Sequence, residues 1–146
     1  MTISASYTTP RDSISSNDQN VLEFLLLQGS HTMSDTPLSY LSASELAALY
    51  RARKISPVEV VTDALSRIGD SAESLNAVCF TYPDEAIGAA KKSEARYMSG
   101  AQNAGILDGI PTALKDENMM AGKVTTYGSL LYADHVAGKS APVVQR

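Results

Sequence analysis

Lys115 is the residue whose placement most invites chemistry. It closes the short apolar run Gly109-Ile110-Pro111-Thr112-Ala113-Leu114, and open α/β sheets tend to place ligands at the C-terminal ends of their strands. Spacing alone fits a solvated strand-end lysine as well. Behind it lie Ala121-Gly122 and Thr125-Thr126-Tyr127-Gly128-Ser129, a run of small and hydroxyl residues. Such a run lets backbone approach a ligand closely, and it fits a plain glycine-containing turn equally. Cys79 sits among apolar residues of a β-rich run and reads as a packed, inert thiol. His31 and His135 read as surface histidines, and the pairs Asp84-Glu85 and Asp116-Glu117 as helix N-terminal or solvated charges. One cysteine and two histidines make a poor metal set, so no metal is expected. The sequence has no G-x-S-x-G elbow, no G-x-x-x-x-G-K-[ST] loop and no G-x-G-x-x-G turn, and no cofactor is implied.

The elements that must position these residues are signalled by caps and periodicity. Ser42 and Glu45 have capping-box spacing, and Leu46, Leu49 and Tyr50 follow at helical intervals, with Arg51, Arg53 and Lys54 at the C-terminal end. A second helix opens on Ser56 as N-cap, Pro57 at N1 and Glu59 at N3. It carries an apolar stripe of Val61, Ala64, Leu65 and Ile68, with Gly69 as its expected stop. Residues 75–82 are β-rich and end at Pro83. Residues 84–99 read as a helix with Ala86, Ala90, Tyr97 and Met98 on its buried side, and 109–115 as a short strand. Strand, helix, strand is a βαβ unit with parallel strands and a right-handed crossover. The expected class is α/β, and two parallel strands are too few for a stable sheet, so the fold reads as incomplete.

Taken together, Leu107-Asp108-Gly109-Ile110-Pro111-Thr112-Ala113-Leu114-Lys115-Asp116 with Gly122 and Thr125-Thr126-Tyr127-Gly128-Ser129 resembles the amidase signature family. The helix pair from Glu45 to Ile68, with its Ser56-Pro57-Val58-Glu59-Val60-Val61 start, is similar to that family's N-terminal region. So are Leu75-Asn76-Ala77 and the closing Ala141-Pro142-Val143-Val144-Gln145-Arg146. The resemblance covers 41–146 and implies the N-terminal part of the amidase-signature fold, a helix pair followed by the βαβ start of a mostly parallel sheet. It implies hydrolysis of carboxylic amides, or transfer of the released ammonia, by a Ser–cis-Ser–Lys triad in which Lys115 matches the lysine. A lysine base must come down from about 10.4 towards 7, a shift that burial can supply. The serine then attacks the amide carbonyl and an acyl-enzyme forms, with backbone N–H groups stabilising the oxyanion. The resemblance places both serines downstream of Arg146, and Ser129 does not replace them because it belongs to the Thr-Thr-x-Gly-Ser element. Asp116 is expected to anchor the turn after the lysine, with Thr125, Thr126, Gly128 and Ser129 in support. Met119, Met120 and Tyr127 are expected to line an acyl pocket.

Composition frames these expectations. The chain has 146 residues, 44% apolar and 19% charged, room for one domain and too apolar for disorder throughout. Twelve basic against sixteen acidic residues leave a net charge of −4, with no electrostatic footprint for nucleic acid or an anionic membrane. These counts fit a soluble protein of the cytoplasm and do not name its function; a small-molecule amide substrate is what the resemblance implies. Residues 1–40 read as a disordered or spurious extension. The run at 21–27 is too short to span a membrane, and Met33 reads as an alternative start. The helix begun at Ser140 stops after one turn, which reads as truncation of a domain spanning 41–146. Three functions follow: an amidase fragment that is inactive alone, an assembly module completing an amidase or amidotransferase in trans, or a non-functional remnant. Self-association or aggregation through uncovered apolar faces is expected.

Overall fold

The structure, a computed structural model, describes residues 37–145. The run at 21–27, His31 and Met33 lie outside the described residues. Those described form two compact units, 37–71 with 82–110 and 72–81 with 111–145.

The first unit is helical. Helix α1 (Ala43–Arg51) starts with a full capping box. The Glu45 amide donates to Ser42 Oγ at 3.3 Å, and the Ser42 amide donates to the Glu45 carboxylate at 2.7 Å. Helix α2 (Pro57–Leu75) repeats the device between Ser56 and Glu59, at 3.1 and 2.7 Å. Helix α3 (Pro83–Met98) begins on a proline whose missing N–H would have had no helical partner. Leu46, Tyr50, Val60 and Tyr97 form the core, with Leu38, Leu41, Ile55 and Ile110 packed against it. The rings of Tyr50 and Tyr97 lie 5.3 Å apart, centre to centre. Burial pushes the Tyr50 phenol above its ordinary range, and its hydroxyl donates to the Gly109 carbonyl at 3.0 Å.

Four sequence expectations change here. Helix α2 runs through Gly69 to Leu75, because a helix-interior glycine costs only about 1 kcal/mol and Ala72, Glu73 and Leu75 beyond it are good helix formers. Met98 is exposed, since α3 turns its last residue outward, whereas Ser93 of the same helix is buried. Cys79 is exposed rather than packed. Residues 37–40, placed in the extension, form a 3-10 turn (Leu38–Tyr40), and Arg67 caps the Tyr40 ring at 4.9 Å.

The second unit contains the last turn of α2, a short helix α4 (Pro142–Gln145) and loops. Residues 76–82 and 110–115 have no strand partner among the described residues, where an antiparallel bridge joins Val124 and Val136. A parallel ladder needs neighbours to take up its amides and carbonyls, and none of the described segments offers one. No helix among the described residues is long and apolar enough to cross a membrane.

Candidate active site

The segment that leads to Lys115 is pinned before it leaves the helical unit. Asp108 receives a two-pronged ion pair from Arg96, with Nε to Oδ2 at 2.6 Å. The Arg96 guanidinium holds the Asp108 carboxyl below its usual range, outweighing the opposing effect of burial. Tyr97 donates its hydroxyl to the Asp108 carbonyl at 3.0 Å, one residue before the carbonyl that Tyr50 engages. Gly109 between them has φ +79°, and a Cβ there would stand 2.8 Å from Ser93 Oγ and 2.9 Å from Pro57 Cγ. Only glycine fits that position. Sequence reasoning quoted Asp108 and Gly109 as motif residues and missed Arg96, Ser93 and the two tyrosine hydroxyls as their partners. The signal available was the coincidence of Asp-Gly with two tyrosines on otherwise apolar helix faces.

In the second unit the residue after the lysine is clamped. The Asp116 carboxylate accepts from the Thr126 amide at 2.8 Å and, through its other oxygen, from the Thr126 hydroxyl. The Asp116 carbonyl accepts from the Tyr127 amide at 3.1 Å. The Thr126 hydroxyl first, and then the Thr126 amide, hold the Asp116 carboxyl below the ordinary carboxylate range. The Lys115 carbonyl in turn accepts from the amides of Glu117 and Asn118, at 2.7 and 2.9 Å. Tyr127 and Gly128 both have positive φ, +54° and +68°, and the Ser129 amide closes the turn on the Thr126 carbonyl at 2.9 Å. Left-handed geometry at a tyrosine is uncommon. Here the Asp116 clamp on one side and Gly128 on the other fix it.

The Lys115 ammonium itself points to solvent. Its side chain is 75% exposed, and Nζ pairs with Glu117 at 3.1 Å. Ser129 Oγ accepts from the Leu131 amide, capping a 3-10 turn at Leu130–Tyr132. Thr125 is buried, its amide donating to the His135 carbonyl at 3.0 Å. Met119 and Met120 are half-buried and their carbonyls accept from Ala141 and Lys123. Tyr127 is exposed, with its ring against Tyr132 at 5.5 Å and His135 at 6.3 Å. The structure thus brings Lys115, Asp116, Thr126, Tyr127, Gly128 and Ser129 into one hydrogen-bonded loop system. Among the described residues, no cluster of three His, Cys, Asp or Glu could hold a metal ion.

Known proteins share this segment. A family model described as Amidase matches residues 59–146. Among the curated relatives are A subunits of glutamyl-tRNA(Gln) amidotransferases. The chain is 39% identical over 106 residues to the mitochondrial one of Ixodes scapularis, a match covering 73% of this chain and 21% of that protein. It is 44% identical over 103 residues to that of Aromatoleum aromaticum, covering 70% and 21%. It is 37% identical over 106 residues to that of Symbiobacterium thermophilum, covering 73% and 22%. The chain spans about a fifth of the length of the curated relatives it matches.

Proposed function

The chain belongs to the amidase family, and on that premise we propose that residues 41–146 are the lysine-bearing N-terminal portion of an enzyme that breaks carboxylic amide C–N bonds. Lys115 is the base. It takes the proton of a serine through a bridging serine, the serine oxygen attacks the amide carbonyl, and the amine leaves with a proton to give an acyl-serine that water resolves. Both serines come from polypeptide other than these 146 residues. The observation that carries the reading is the clamp on Asp116, which fixes the backbone next to Lys115 through Thr126 and Tyr127. A base must be held within a few tenths of an ångström of its productive position.

The exposure of Lys115 supports a second part of the proposal, that the 146-residue polypeptide turns over no amide by itself. A lysine base works in a dry setting, and here Nζ faces water and Glu117. In the complete enzyme, residues 76–82 and 110–115 take up neighbouring positions in a mostly parallel sheet, with α3 as the crossover, which is an α/β fold. The substrate is a small amide and the compartment the cytoplasm. A second reading, a component of an amidotransferase that works with partner polypeptides, is favoured by the relatives, each of them named as one subunit of such an enzyme.

The test is a chimera in which residues 41–146 replace the matching segment of the Aromatoleum relative. Ammonia release from a panel of carboxylic amides is then measured. The chimera is expected to turn over, and Lys115→Ala to cost ~10²–10⁴-fold or more. Turnover by the 146-residue polypeptide alone, abolished by Lys115→Ala, would overturn the second part of the proposal. An active chimera indifferent to Lys115→Ala would overturn the first.

A further inference from the structure

The second unit presents two leucines almost wholly to water. Leu130 is 95% and Leu131 92% exposed, side by side in the 3-10 turn Leu130–Tyr132. A single exposed leucine is ordinary, but adjacent ones on a fixed turn are not. This turn is fixed at both ends. Ser129 Oγ accepts the Leu131 amide, the Ala133 amide returns to the Leu130 carbonyl, and the His135 amide donates to the Tyr132 carbonyl. The rings of Tyr127, Tyr132 and His135 pack on one another at its base, with centres 5.5 to 6.3 Å apart. Unit two itself has little apolar interior: among its described residues Thr125 and Ala137 are the buried ones. The leucines therefore have no home within their own unit, and the turn that carries them is braced as a protruding knob.

We propose that Leu130 and Leu131 are the docking knob by which this segment is seated against the rest of an amidase domain. The occupant is the polypeptide corresponding to the four-fifths of the relatives that lies outside the matched span. That length argues for it: in each relative the matched segment is about a fifth of one chain. The knob stands inside the span the Amidase model matches, on the same loop system as Lys115. Seating it brings covering polypeptide to the unit whose lysine is exposed. This inference rests on the amidase reading above.

The test is one double substitution in two settings. In the 146-residue chain, Leu130→Glu with Leu131→Glu is expected to leave the melting temperature within about 2 °C, since both side chains are already in water. In the chimera with the Aromatoleum relative, the same pair is expected to lower it by about 10 °C or more, or to abolish soluble protein. An unchanged melt in the chimera overturns the proposal, and so does an equal loss in the isolated chain. Sedimentation of the isolated chain examines a rival occupant. A dimer that the double substitution dissociates would assign the knob to a second copy and overturn the proposal. The amidase reading fails separately. It falls if the chimera ignores Lys115→Ala in turnover, whatever the leucines do to its melt.

Discussion

The helical unit and the loop unit are built by different forces. Around Tyr50 and Tyr97 the chain buries apolar side chains from three helices and adds hydrogen bonds to what burial has already ordered. Around Asp116 hydrogen bonds come first. The carboxylate, the Thr126 hydroxyl and a set of loop amides impose a geometry that little apolar burial supports. The residues with chemical promise all lie in the second region. Stability and chemistry are thus divided between two stretches of one short chain, and the chemical stretch is the one that needs covering.

The division is most exposed to challenge at Tyr50. Tyr50→Ala removes a core ring and the hydroxyl bond to Gly109, and is expected to cost about 3–5 kcal/mol in urea unfolding followed by helical circular dichroism. A loss below about 1 kcal/mol would mean that the helices do not depend on that core. Gly109→Ala is next. It combines a left-handed φ with contacts below 3 Å to Ser93 and Pro57, and an expected cost of about 1–3 kcal/mol. Serine at the same position should be no better tolerated, whereas a neutral result would place the pinning of 108–110 elsewhere.

Acid separates the two units further. Asp108, Asp116 and Glu45 all have carboxyls held below their ordinary values, by Arg96, Thr126 and Ser42 respectively. A depressed carboxyl contributes stability that is fully present above its unfolded value and is lost as pH falls through the folded one. Ordinary values are near 3.8 for the two aspartates and 4.5 for Glu45. Stability should therefore be level above about pH 5 and fall progressively below about pH 4. The loops should open before the helices, as read by amide signals of Thr126 and Tyr127 against those of α1. Simultaneous loss of both would contradict the division. The smallest effect is expected at Gly69, inside α2, where an added Cβ meets nothing within 4 Å. Gly69→Ala should raise stability by roughly 0.5–1 kcal/mol and leave the loop signals unmoved.

What could be read in the sequence follows the same division. Helices α1 and α2 were legible from Ser42/Glu45 and Ser56/Glu59, because a capping box is local chemistry at fixed spacing. The Gly-Ile-Pro run, Lys115-Asp116 and the Thr-Thr-x-Gly-Ser element were legible as a family pattern for a similar reason: their order and spacing survive in the chain. The extent of α2 was not, since a glycine marks a helix end or an interior with the same letter. The exposure of Met98 and Cys79 was hidden too, because side-chain period alone does not say which neighbour is present. Residues 76–82 have strand composition without a ladder, and composition cannot supply a partner. The grip of Arg96 on Asp108 and of Thr126 on Asp116 spans ten to twelve residues of sequence, a separation at which the geometry of the intervening turns decides contact.

Native-state hydrogen exchange on the 146-residue chain tests the division most directly. Amides of α1 and α3 should exchange only through global unfolding, while those of Thr126, Tyr127 and Ala137 should exchange through a local opening at least ~10²-fold faster. Equal protection of both sets would contradict the division. It would mean that the loops bearing Lys115 belong to the same cooperative core as the helices.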